Sequence, residues 1–172
     1  MLHTITTVSI AGRQFNQFHS LRLEQPLQGH HHFELKIGYD WLQELGPGIV
    51  SATKAFLGKE VSITIHPYEA MQNYDRLIFN GMVMSVSSGK ESDGTHGFCV
   101  IRGYSPTILL SNDLHVQAFE NQDLGAIVNT TLKACGPYIA KPQVNPATAS
   151  SLKYIVQYKE TSFDFLHRMS AR

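Results

Sequence analysis

The stretch RLIFNGMVMSV, Arg76 to Val86, is apolar on both faces and carries Gly81 at its middle. A run of this kind reads as one long buried strand, and a glycine inside it marks a bulge or a bend. Period-two patterning spreads from it in both directions. Toward the N-terminus, Val61, Ile63 and Ile65 alternate with Ser62, Thr64 and His66, the signature of a half-buried strand. Phe33, Leu35 and Ile37 repeat the pattern in HFELKIG, as do Leu21 and Leu23 before them. Toward the C-terminus, the polar, turn-rich stretch Ser87 to Gly97 leads into FCVIRGY, Phe98 to Tyr104. The pair predicts an antiparallel hairpin with a long tip. About five or six strands within ~100 residues, with a short helical piece near Ser51 to Leu57, predict a mainly β fold, a small antiparallel barrel or sandwich. The helical piece is placed to bridge two strands across a barrel end.

The periodicity changes around Ser105 to Leu114, so the β-barrel domain is assigned to residues 1–112 and the start of an α+β domain to residues 113–172. Asn121 is read as the cap of a helix with apolar positions Leu124, Ile127, Val128, Thr131 and Leu132, ended by Gly136 and Pro137. The Pro-, Ala-, Thr- and Ser-rich stretch Tyr138 to Ser151 is loop chemistry. Ile155 to Tyr158 then forms a strand, and Thr161 with Asp164 opens a helix through a capping-box spacing. Phe165, Leu166 and Met169 supply that helix with an apolar stripe. No C-cap follows it, which leads us to expect an incomplete domain whose final stripe is under-packed and frays.

Composition excludes several classes. Fourteen basic residues balance fourteen acidic ones, with 8 against 9 through Asn112 and 6 against 5 beyond it. Nothing in that even spread points to nucleic acid or anionic lipid. Cys99 and Cys135 lack any CxxC partner and read as buried thiols of a reducing compartment. The start MLHTITTVSIAG has neither a basic region nor a continuous apolar region, and no stretch approaches the ~20 apolar residues of a membrane span. Synthesis as a soluble cytoplasmic protein without a signal peptide is expected, with no membrane insertion by this region.

Catalytic motifs are missing too. There is no GxSxG elbow, no HExxH, no P-loop and no glycine-rich dinucleotide turn. In a strand, His30 and His32 share a face and His31 points away, so at most two of this cluster reach one ion, with no further ligands nearby. Glu91 and Asp93 fall in a loop and read as a solvated tip. Phe15, Phe18, Phe33, Phe79 and Phe98 recur at strand spacing and read as core. We therefore assign no catalytic, no cofactor-binding and no metal-ligating residue, and no cofactor.

Taken in order, FELKIG, FLGKEVSITI, RLIFNGMVMSV, CVIRGYSPTILLS, VQAFENQDLGAIVNTTLKACG and YIVQYKETSFDFLHRMSAR resemble the N-terminal part of the VgrG family. These are the spike-base proteins of bacterial type VI secretion, similar to the baseplate hubs of contractile-tailed phages. The most specific pieces are Phe119, Asn121 and Ile127, and then Gln157, Tyr158, Glu160, Ser162, Phe165, Leu166 and Arg168. The loop Ala140 to Ser151 carries no motif, and Met169 and Ser170 depart from a uniformly apolar continuation.

The resemblance implies a structural protein rather than an enzyme: a tube-like barrel that, in a full-length homotrimer, builds a ring of six similar barrels capping an Hcp-type tube. It implies a PAAR tip protein and effectors carried by a C-terminal part, and release by the type VI apparatus. This stretch alone is expected to be monomeric or weakly associated. A baseplate hub of a contractile prophage tail is the alternative within the same class. From another class, a carbohydrate-binding β-domain is expected to expose coplanar aromatics, whereas Trp41 sits beside Asp40 in a turn with only Tyr39 as aromatic neighbour.

Overall fold

A computed structural model of the chain describes residues 4–43, 55–67, 76–90, 97–138 and 151–170. Contacts divide it into two compact units, Met1–Ser105 and Pro106–Arg172.

In the first unit the strands are β1 (Thr4–Ile10), β2 (Arg13–Phe15), β3 (Ser20–Glu24), β4 (His32–Gly38), β5 (Glu60–Pro67), β6 (Leu77–Lys90) and β7 (Gly97–Tyr104). A single helical turn, α1 (Tyr39–Gln43), follows β4. All seven strands form one antiparallel sheet in the order β2-β1-β5-β6-β7-β4-β3, curled into a half-barrel. Strand β6 joins the two halves of the sheet. Its first half pairs with β5, from Leu77 opposite Ile65 to Met82 opposite Glu60, and its second half pairs with β7, from Met82 opposite Tyr104 to Lys90 opposite Gly97. Met84 is the extra residue of a bulge between Val83 and Ser85, which adds twist just past the handover.

The handover needs glycine. A Cβ on Gly103 would run into the Met82 carbonyl and the Phe33 ring, and one on Gly81 would meet the Tyr104 carbonyl and the Phe79 ring. Alternate residues of the strands fill the concave side: Val8, Ile10, Leu35, Ile37, Ile63 and Ile101 are wholly buried, and the Phe33 and Phe79 rings meet edge to face at 5.8 Å. Burial of this set, at roughly 1.5–3 kcal/mol per large apolar side chain, is the main force holding the unit.

Several expectations change here. The sequence predicts no strand before His19, yet Thr4–Phe15 supplies two, because Thr4 and Thr6 share the face of Val8 and Ile10 and interrupt its apolar run. The stretch Ser87–Lys90, read as connection, continues β6 opposite Val100 through Gly97. Phe98 is not core: it lies on the convex side with the Lys36 ammonium 4.1 Å from its ring centre. Trp41 stands on α1, where the His19 ring packs on it at 5.2 Å. Of the helical piece near Ser51 to Leu57, residues 51–54 lie outside the described residues and the rest is turn. Glu91 and Asp93 also lie outside them.

The second unit begins with a 3-10 turn, Pro106–Ser111, followed by β8 (Leu114–Gln122), α2 (Leu124–Leu132), a second 3-10 turn Lys133–Tyr138, β9 (Leu152–Thr161) and α3 (Ser162–Ser170). Strands β8 and β9 form a two-stranded antiparallel ribbon. The cap of α2 is Asp123, whose Oδ1 accepts the Ala126 N–H at 2.7 Å; Asn121 instead lies within β8, one residue before its end, with a left-handed φ of 51°. Gly136, at φ 55°, breaks the turn that follows the helix. The capping box of α3 forms as read, with Thr161 Oγ1 accepting the Asp164 N–H at 3.0 Å. The stripe expected to be under-packed is closed: Phe165 is wholly buried and Met169 nearly so, in one cluster with Phe119, Ile127 and Ile155. The loop residues 139–150 lie outside the described residues. No helix of the described residues is long and apolar enough to cross a membrane.

Candidate functional site

On the convex side of the sheet, the polar halves of β3, β4 and β7 come into register. Arg22 lies opposite Glu34, and Glu34 opposite Arg102. In the next row Glu24 lies opposite His32, and His32 opposite Tyr104. Arg102 Nε donates to Glu34 Oε2 at 2.6 Å, His32 Nε2 lies 3.3 Å from Glu24 Oε2, and Arg22 pairs with Glu24 along its own strand. The His32 and Tyr104 rings pack at 5.8 Å. Together with Phe33 and Gly103 these residues line an open groove of about 400 Å³.

This strip is a row of paired charges on the outer face of the sheet. Its cations and carboxylates alternate and answer one another, and no serine, threonine or cysteine lies among its lining residues. Half-exposed pairs of this kind contribute only about 0–1 kcal/mol each to stability. Sequence reading passed over Arg22, Glu34 and Arg102. Strand parity assigns each to the polar face of its own strand, but which residues stand side by side depends on register between strands far apart in the chain. His32 enters this strip. His30 and His31 precede the strand, and His31 Nδ1 lies 3.4 Å from Gln25 Nε2.

In the second unit the family-like residues build a lock. Arg168 donates through Nε and Nη2 to the Glu160 carboxylate and through Nη2 to the Val156 carbonyl, tying α3 to β9. Hydrogen bonding to Arg168 holds the Glu160 carboxyl below its usual range and raises the guanidinium in turn. The buried Gln157 amide donates to the Glu160 carbonyl, with Ser162 Oγ 3.5 Å away. Phe119 and Phe165 stack beneath. These contacts are internal to the second unit, whereas Tyr158, another residue that carries the resemblance, is exposed. Both cysteines are buried, and desolvation pushes the Cys99 thiol up to about 11 and raises that of Cys135.

The outer face of the β8–β9 ribbon differs from the charged strip: Leu114, Val116, Tyr154 and Tyr158 on it are all more than 60% exposed.

Solved structures share this fold. The 43 kDa tail protein of prophage MuSo2 from Shewanella oneidensis matches with a TM-score of 0.69 at 17% identity, over 98% of this chain and 48% of its own. The tail protein of Neisseria meningitidis MC58 gives 0.70 at 14%, over 98% and 45%. The E. coli c3393 protein, a component of the type VI secretion system, gives 0.52 at 12%, over 98% and 39%. The chain thus spans less than half the length of each. No curated protein matches the sequence. Residues 48–172 match the model of the phage tail baseplate hub family, GPD. That match takes in β5 to β7, the ribbon and the Arg168 lock, and the chain therefore belongs to the phage tail baseplate hub (GPD) family.

Proposed function

We propose that this chain supplies the first barrel of a trimeric, non-enzymatic hub that closes the end of a tail-type tube. The observation that carries the reading is the curled half-barrel with one fully packed concave side and a strip of alternating charges on the other. A curled sheet that is already packed internally can be repeated around an axis, each copy meeting its neighbours through surface pairs whose pattern fixes the register. In its type VI form the hub would be a VgrG-like spike base seated on an Hcp-type tube, with a PAAR tip and effectors on a C-terminal part, and would leave the cell with the apparatus. The higher overlap with the two tail proteins favours a second form, the hub of a contractile prophage tail.

Sedimentation of the longest polypeptide that contains this chain tests the assembly, with a trimer expected. Incubation with purified Hcp-type tube protein and with prophage tube protein then separates the two forms by which tube is capped in electron micrographs. A monomer that caps neither tube overturns the reading.

A further inference from the structure

We infer that free copies of this chain pair face to face through the β8–β9 ribbon, in a twofold dimer that covers its exposed apolar side. The ribbon has one buried face, carrying Phe119, Ile155 and Gln157. Its other face runs through Val116 opposite Tyr158, Ala118 opposite Val156, and Glu120 opposite Tyr154, with Leu114 at one end. Val116, Tyr158 and Tyr154, with Ala118 and Val156 between them, form the sort of patch that marks a protein contact, and Leu114 lies beyond them at the Lys159 end.

The charges at its ends say what covers it. Lys159 is the bulged residue of β9, at φ 47°, and its ammonium lies over the Tyr158 ring, 5.6 Å from the centre, on the exposed face. At the opposite end the same face carries the exposed Glu120. The face therefore reads cation, apolar centre, anion, and a strip of that order complements itself when turned end for end. A twofold axis crossing the strands, in the plane between the two ribbons, places Tyr154 against the partner's Tyr158 and Lys159 within reach of the partner's Glu120, twice over. Sheets packed face to face lie about 10 Å apart, which a lysine and a glutamate bridge together. The small Ala118 at the centre leaves room for the neighbouring tyrosines. A net charge of zero for the chain adds no long-range repulsion to the approach.

A twofold contact joins two subunits and no third, so this pair is a state of the free chain, separate from a threefold ring. Sedimentation velocity on the 172-residue chain across micromolar concentrations is the test, with folding of every variant checked by circular dichroism. Dimers are expected, weakened about tenfold or more by Tyr158→Glu and about three- to tenfold by Glu120→Lys or Lys159→Glu alone, the range of two exposed ion pairs lost together because each change is present in both copies. Glu120→Lys combined with Lys159→Glu restores pairing to within about twofold, since the swapped charges meet again. A chain that stays monomeric, association untouched by Tyr158→Glu, or a double variant as weak as its two changes multiplied overturns the proposal. Should Tyr158→Glu fail to fold, the charge-swap set decides alone.

Discussion

The rings of Phe119 and Phe165 lie face to face, with centroids 5.5 Å apart and planes 10° from parallel. One comes from the middle of β8 and the other from the first turns of α3, so a single contact joins the early and late elements of the second unit.

Phe165→Ala should therefore cost about 3–5 kcal/mol, the range for emptying a fully buried phenylalanine site. That is a large share of an ordinary domain stability of about 5–15 kcal/mol. Urea unfolding followed by circular dichroism checks it; a loss below about 1 kcal/mol would mean that the site collapses and that the stack adds little.

Arg168→Ala removes the Glu160 pair and the bond to the Val156 carbonyl together. A loss of about 1–2 kcal/mol is expected, given the partial exposure of the pair. The pH dependence has a definite sign. Because Glu160 titrates below its unfolded value, its contribution is complete above the ordinary glutamate value of about 4.3 and is lost as pH falls through the lower folded value. The gap between melting curves of the parent and Arg168→Ala should narrow as pH falls below about 4, down to the share carried by the bond to the Val156 carbonyl.

Gly103→Ala pushes a methyl group toward the Met82 carbonyl, which is backbone and yields little. The expected cost is about 1–3 kcal/mol or more, or a fall in Tm of roughly 4–8 °C per kcal/mol for a unit of this size. Gly12→Ala, at a φ of 79° but with open space around it, separates strain of the backbone from collision.

Asp123→Ala removes the cap of α2 and should cost about 1 kcal/mol. Asn121→Gly, at the left-handed position before it, should be near neutral, because glycine adopts that conformation freely. The reverse order of effects in thermal melts would restore Asn121 as the cap.

Much of the first unit was legible because its inner face is built from strictly alternating residues: Phe33, Leu35 and Ile37 in β4, and Val61 and Ile63 in β5, are all buried. Strand β8 was not. In LHVQAFENQ only Phe119 is buried, while Leu114 and Val116 are apolar and exposed, so neither period nor polarity marked the inner side. The Arg168 lock was visible as a set of residue types at fixed spacings, but its task was not, since Val156 takes part through its carbonyl, which no side-chain pattern records. The charged strip remained hidden for a related reason. It depends on β7 lying beside β4, a neighbour relation set by the topology of the whole sheet.

Strand β6 has a mechanical consequence. Met82 pairs with Glu60 on one side and Tyr104 on the other, and beyond it the strand changes partner. Within the hydrogen-bonded ladder, the two halves of the sheet are joined through this one strand. Pulled lengthwise, the ladders on either side share the load in shear, with many hydrogen bonds resisting at once. Pried apart at Met82, the same bonds would open one after another. A barrel built this way should withstand thrust along β6 far better than twisting across it.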